Sequence, residues 1–295
     1  MNGAQPAASA RGLAGISDAS GRLRVLAIDH RDSLRVFLAP DDPASVPAAT
    51  ITALKIELVA ALAPLATGVM LEPAYSIPQV LDAGVLPAGI GFTAALEDQG
   101  YLADPGAVVT RILPGWSVAA AAASGASAVK LLLPYQPRSP SAGAQIDVAR
   151  AVVADAAAHH IPLVLEPLLY GVDVADEHTA GVVETVRHVA PLGAALLKLP
   201  FPGAGRASIT VAQRACEQIT ELCAGPWALL SGGGAFDAFA AQLGMACSAG
   251  CAGFMVGRAL WGEAVRADAA KRSMLLRDLV APRLEQLRQI VESSR

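Results

Sequence analysis

Lysine is nearly absent from this chain of 295 residues. Of its 22 basic residues only Lys55, Lys130, Lys198 and Lys271 are lysines, and the rest are arginine. Aromatic side chains make up 4% and charged ones 16%, so the basic stripe and stacking platform of a nucleic-acid-binding protein are missing and no such partner is expected. Cysteine is confined to Cys216, Cys223, Cys247 and Cys251, in Ala-rich helix-like sequence with no CxxC pair. That spacing argues against a zinc knuckle or a disulfide framework and for reduced, half-buried thiols. Histidine is equally sparse: His159 and His160 read as a helix end, His178 and His188 lie on a polar helix, and neither HxH nor HxxxH occurs. No metal is therefore expected, nor any other cofactor. Residues 1–10 lack a basic n-region followed by an apolar h-region, and Ser, Gly or charged residues interrupt apolar runs such as 118–128. The expectation is a soluble, cytoplasmic protein without signal peptide or membrane span.

What is abundant is apolar sequence, 54% of the chain, enough for one large core. Residues 1–20 read as an N-terminal tail with a short helix at 10–17, and residues 21–295 as a single domain. Strand-like runs fall at 23–29, 68–73, 89–97, 126–135, 161–170, 194–201, 227–231 and 252–257, alternating with helix-like stretches. Near-continuous apolar strands alternating with helices predict a parallel sheet covered by helices. Eight such units predict an α/β fold of the TIM (β/α)8 barrel type. An open doubly wound sheet is the alternative, although no strand-GxGxxG-helix fingerprint supports it. Glu97, Lys130, Glu166, Lys198 and Ser231 recur at intervals of 33, 36, 32 and 33 positions, each at or near the end of its strand. That end is where barrel enzymes carry their chemistry.

Lys130, Glu166 and Lys198 occupy the fourth, fifth and sixth strands. Adjacent strands lie about 4.8 Å apart, so inward-pointing side chains would form one cluster with the carboxylate between the amines. A chain that uses arginine almost everywhere, yet places lysine in apolar strands, keeps there a cation able to lose its proton. Such an amine can attack a ketone to form an imine, with Glu166 moving protons. A structural Lys-Glu-Lys network would satisfy the same pattern. Ser231-Gly232-Gly233-Gly234 before a helix, with Gly257 and Arg258 after the eighth strand, fits the phosphate site that barrels build there. Asp29 and Arg31 end the first strand, where they would orient hydroxyls or a second anion. His30 by itself reads as a loop histidine, although it joins Arg31 as a candidate substrate contact, and Glu72 and Glu97 read as plain strand-end carboxylates in preference to partners that support the site. The apolar helices suggest a homo-oligomer and no more.

The runs Asp18-Ala19-Ser20-Gly21-Arg22, Leu26-Ala27-Ile28-Asp29-His30-Arg31, Val129-Lys130-Leu131, Leu165-Glu166-Pro167, Leu197-Lys198-Leu199-Pro200, Pro226-Trp227-Ala228-Leu229-Leu230-Ser231 and Gly257-Arg258-Ala259-Leu260-Trp261 resemble the class I aldolases that include tagatose 1,6-bisphosphate and sulfofructosephosphate aldolases. The stretches 226–261 and 276–283 look closest to the sulfofructosephosphate branch. The resemblance implies a barrel, a Schiff base on Lys198, proton transfer by Glu166, assistance from Lys130 and Asp29, and phosphate binding at Ser231, Gly232 and Arg258. It implies as substrate a phosphorylated ketose such as 6-deoxy-6-sulfofructose 1-phosphate or tagatose 1,6-bisphosphate. There are two departures: His30 stands where the family usually has Gln, and residues 168–173 replace an expected basic loop. A non-catalytic phosphosugar-binding barrel and a phosphosugar isomerase are the alternative readings.

Overall fold

Eight short parallel strands form a closed barrel in the order β1-β2-β3-β4-β5-β6-β7-β8, in a computed structural model that describes residues 12–98, 109–172, 174–203 and 207–294. They are β1 (Leu23–Ala27), β2 (Gly68–Leu71), β3 (Gly91–Ala95), β4 (Ala128–Tyr135), β5 (Leu163–Leu169), β6 (Leu196–Leu199), β7 (Trp227–Leu230) and β8 (Gly253–Val256). The TIM-barrel expectation is met and the open sheet is set aside. Most strands are shorter than the apolar runs implied. Asp29, Glu72, Glu97, Ser231 and Gly257 therefore lie just beyond the hydrogen-bonded ladder, at the C-terminal mouth.

The period of two along each strand divides the barrel into two cores. Leu26, Val69, Phe92, Leu131, Leu165, Leu197, Leu229 and Phe254 face outward and pack under the helices. Leu23, Val25, Met70, Ala128, Val164, Leu196, Ala228 and Met255 face inward and pack with Leu13 and Ile16. Leu13 opens and Ile16 follows the single turn Leu13–Gly15, which stands where the sequence suggested a helix at 10–17. Residues 10 and 11, like the rest of the 1–10 tail, lie outside the described residues. The turn closes the barrel floor at backbone contact: a Cβ added at Gly91 would lie 2.2 Å from the Gly15 carbonyl oxygen.

The helix Ala48–Leu62 continues through the turn Ala63–Leu65. By length and composition this run is long and apolar enough to cross a membrane, a length that the sequence reading denied to every apolar run. Here it lays Ile51, Leu54, Leu58, Val59 and Leu62 into the core and buries Lys55 among them. Lys55 is fully buried and pairs with Glu72 at 2.5 Å. Glu72 also accepts from the Ala74 and Tyr75 amides and from the Ser76 hydroxyl, so it organises the turn after β2. All four cysteines are free; burial pushes the Cys216 thiol up to about 12 and that of Cys223 to about 11, which leaves them protonated and unreactive.

Candidate active site

β4 and β5 pair with Lys130 beside Val164 and Leu132 beside Glu166. Lys130 thus starts one inward layer below Glu166, and its four-carbon stem lifts the ammonium to the carboxylate. β5 and β6 place Leu165 beside Leu197, which sets Glu166 next to Lys198. Small inward neighbours make room for both stems: Ala95 stands beside Lys130 and Ala228 beside Lys198.

The result is a buried network of two amines and three carboxylates. Lys130 Nζ lies 2.9 Å from Asp29 Oδ2, 2.7 Å from Glu97 Oε1 and 3.0 Å from Glu166 Oε2. The other oxygen of Glu166 lies 2.9 Å from Lys198 Nζ. Lys198 Nζ has Met70 Sδ as a further neighbour, at 3.7 Å. Every one of these side chains is at most 7% exposed. Glu97 is more than a strand-end carboxylate and has the supporting part that was the lesser expectation: it holds Lys130 and accepts the Leu132 amide at 3.1 Å. Burial raises the Asp29 carboxyl, but the charges of Lys130 and Lys198 outweigh it and hold the group well below the usual carboxylate range.

A cavity of about 200 Å³ opens directly above this network. Asp29, His30, Lys130, Glu166 and Lys198 line it on one side; Ser231, Gly232, Gly233, Gly257 and Arg258 line it on another. Gly232 and Gly233 have φ of 58° and 79°, a left-handed pair that tightens the loop as only glycine does without strain. Consecutive amides in such a turn make a concavity suited to anions. A Cβ on Gly233 would lie 3.5 Å from an Arg258 nitrogen, so the guanidinium borders the glycine loop. Arg258 also opens the helix Arg258–Arg266, whose N-terminal dipole favours negative charge.

His30 is part of the cavity wall rather than a bystander. Its ring meets Trp261 edge-on at 5.4 Å, and a Cβ at Gly257 would come within 2.8 Å of its Cε1. Burial lowers its pKa to about 3, with Arg258 and Lys198 adding to the shift against the opposing charge of Asp29. The ring is neutral at physiological pH. Arg31, grouped with it in the sequence, is not in the cavity wall; its guanidinium donates to the Glu97 carbonyl oxygen and ties the ends of β1 and β3 together. Ser33 does line the cavity, and nothing in its sequence context marked it. Leu132 and Leu168 add to the lining on β4 and β5, and Ala27, Leu230 and Met255 on β1, β7 and β8. Asp173, the last residue of the segment 168–173, lies outside the described residues. Among the described residues no cluster of three metal-ligating side chains occurs.

A closed (β/α)8 barrel with paired amines, a bridging carboxylate and a glycine loop beside an arginine at its C-terminal mouth has the makeup of an aldolase that works through an amine. Residues 24–263 match the DeoC/LacD family of aldolases, and the chain belongs to that family; it is a class I aldolase, a carbon-carbon lyase. It is 26% identical over 285 residues to tagatose 1,6-diphosphate aldolase 2 of Streptococcus mutans, an alignment covering 86% of this chain and 84% of that one. Tagatose 1,6-diphosphate aldolase 1 of Streptococcus pyogenes is 28% identical over 173 residues, 57% of this chain and about half the length of that relative (51%). Among solved structures, a Schiff-base-forming fructose-1,6-bisphosphate aldolase superposes with a TM-score of 0.62 at 22% identity, covering 92% of this chain and 99% of its own. Fructose-bisphosphate aldolase from Plasmodium falciparum gives 0.66 at 15% identity, with 99% and 95% covered. At those identities the structural likeness concerns the fold.

Proposed function

We propose that this aldolase cleaves a ketose 1-phosphate, the substrate class that includes tagatose 1,6-bisphosphate and 6-deoxy-6-sulfofructose 1-phosphate, to dihydroxyacetone phosphate and an aldehyde, with Lys198 as the nucleophile. The observation that carries this reading is the Glu166 carboxylate, which bridges Lys198 at 2.9 Å and Lys130 at 3.0 Å beneath an open cavity. The phosphate sits against Ser231, Gly232, Gly233 and Arg258, which brings the C2 carbonyl to Lys198.

Lys198 passes its proton to Glu166 and the neutral amine adds to C2. Glu166 returns that proton to the alkoxide formed by the addition, then takes a proton from the bound nitrogen and passes it to the carbinolamine hydroxyl, which leaves as water, and an iminium remains. Glu166, ionised again, takes the C4 hydroxyl proton as the C3-C4 bond breaks; the bonding pair flows into the iminium, giving an enamine and releasing the aldehyde. Protonation of C3 by Glu166 and hydrolysis of the new iminium return free Lys198 and dihydroxyacetone phosphate. Lys130, held by three carboxylates, keeps Glu166 in place and offsets the negative charge around it.

An assay that couples dihydroxyacetone phosphate to NADH oxidation tests the proposal across fructose 1-phosphate, tagatose 1,6-bisphosphate, fructose 1,6-bisphosphate and sulfofructose phosphate. Turnover of at least one, abolished in Lys198→Ala, is expected. Undiminished turnover in Lys198→Ala would remove Lys198 from the mechanism.

A further inference from the structure

Toward its mouth, above Ala27, Leu230 and Met255, the cavity has two chemically different walls, and the barrel topology places them face to face. In a closed ring of eight strands, the seam between β4 and β5 stands opposite the seam between β8 and β1. The glycine loop, Arg258, His30 and Ser33 rise from β7, β8 and β1. Leu132 and Leu168 rise from β4 and β5. Leu132 is adjacent to Glu166 in register, and Leu168 is two residues further up the same strand as Glu166, on the same face and closer to the mouth.

A ketose whose phosphate lies in the cradle, and whose C2 lies at Lys198 on β6, runs its C4 past Glu166 on β5. Its remaining carbons then meet Leu132 and Leu168. Among the described residues that line the cavity, the cation on that side is the Lys130 ammonium, which is 1% exposed and already engaged by Asp29, Glu97 and Glu166 at 2.7 to 3.0 Å. An anionic terminal group placed there would lose its hydration against methyl groups, at a cost that an uncharged group escapes. An apolar terminal group would gain from the same burial.

From this arrangement, and resting on the aldolase reading above, we propose that the aldehyde half of the substrate ends in an uncharged, carbon-rich group, so that the natural ketose carries a single phosphate, at C1. Substrates with a second phosphate or a sulfonate at the far end are selected against by the two leucines. The apolar wall is the specificity determinant, and Leu168, half-buried at the mouth, is its outer part.

The test runs the enzyme in the synthetic direction, with dihydroxyacetone phosphate and four acceptors: propanal, lactaldehyde, glyceraldehyde and glyceraldehyde 3-phosphate. The expected result is a kcat/KM for propanal and lactaldehyde at least about tenfold above that for glyceraldehyde 3-phosphate. In Leu168→Arg the ratio should shift by about tenfold or more toward the phosphorylated acceptor, the discrimination that one charge-assisted hydrogen bond supplies. A wild-type preference for glyceraldehyde 3-phosphate would overturn this inference and leave the aldolase reading intact. An unshifted ratio in folded Leu168→Arg would also overturn it, by showing that the terminal group lies elsewhere. Absence of condensation with every acceptor would instead sink the aldolase reading, and this inference with it.

Discussion

Glu166 touches both amines, so under the proposed mechanism its replacement separates proton transfer from nucleophile supply. In Glu166→Gln the side chain keeps its size and loses its ability to carry a proton. A fall in kcat of about 10²- to 10⁴-fold is expected, with the protein still folded; steady-state kinetics and circular dichroism together check it. A drop of only a fewfold would move the proton shuttle to Asp29 or Glu97. His30 gives a prediction of a different kind. Folding lowers its pKa from 6.5 to about 3, so the unfolded chain binds a proton between those values that the native state refuses. The associated stability is complete above about pH 6.5 and is lost as pH falls, by about 1.4 kcal/mol per unit. Urea denaturation at stepped pH values should therefore show a flatter profile between pH 6.5 and 4 for His30→Gln than for the wild type. Matching slopes would mean that the ring is protonated in the folded state.

Among the elements, the pair between the helix Ala48–Leu62 and the turn after β2 carries the clearest energetic consequence. Lys55 and Glu72 are both fully buried, and burial lowers the Lys55 pKa against the pull of Glu72. Lys55→Met strands a buried carboxylate, which costs about 3 to 5 kcal/mol. Lys55→Met/Glu72→Gln should recover part of that loss, because the glutamine carbonyl still accepts the Ala74 and Tyr75 amides. Chemical denaturation of the three proteins measures it, and a double variant no better than the single one would contradict the account. The strands themselves were legible as apolar runs, because parallel strands buried on both faces have no polar alternation to blur them. Their ends were less so, since Asp29 and Glu97 follow in the same run while the ladder stops at Ala27 and Ala95. The Lys130, Glu166 and Lys198 trio was readable because a charge inside an apolar strand stands out. The grip of Glu97 on Lys130, the removal of Arg31 from the cavity and the arrival of Ser33 depend on register and loop path, which no spacing along the chain records.

Across the whole molecule, polarity is distributed along the barrel axis. The floor is closed by Leu13, Ile16 and the inward aliphatic layer, while the charged layer lies directly above it under the cavity. The packed floor keeps water from the charged layer from below, so the amines exchange protons with the carboxylates beside them and with whatever enters from the mouth. The two amines differ in their surroundings: Lys130 has three carboxylate partners, whereas Lys198 has Glu166 and a thioether, which favours Lys198 as the proposed nucleophile. The most direct measurement is borohydride reduction of the enzyme in the presence of dihydroxyacetone phosphate, followed by peptide mass mapping. One adduct, on Lys198, is expected; an adduct on Lys130, or none while the enzyme turns over, would remove Lys198 as the nucleophile.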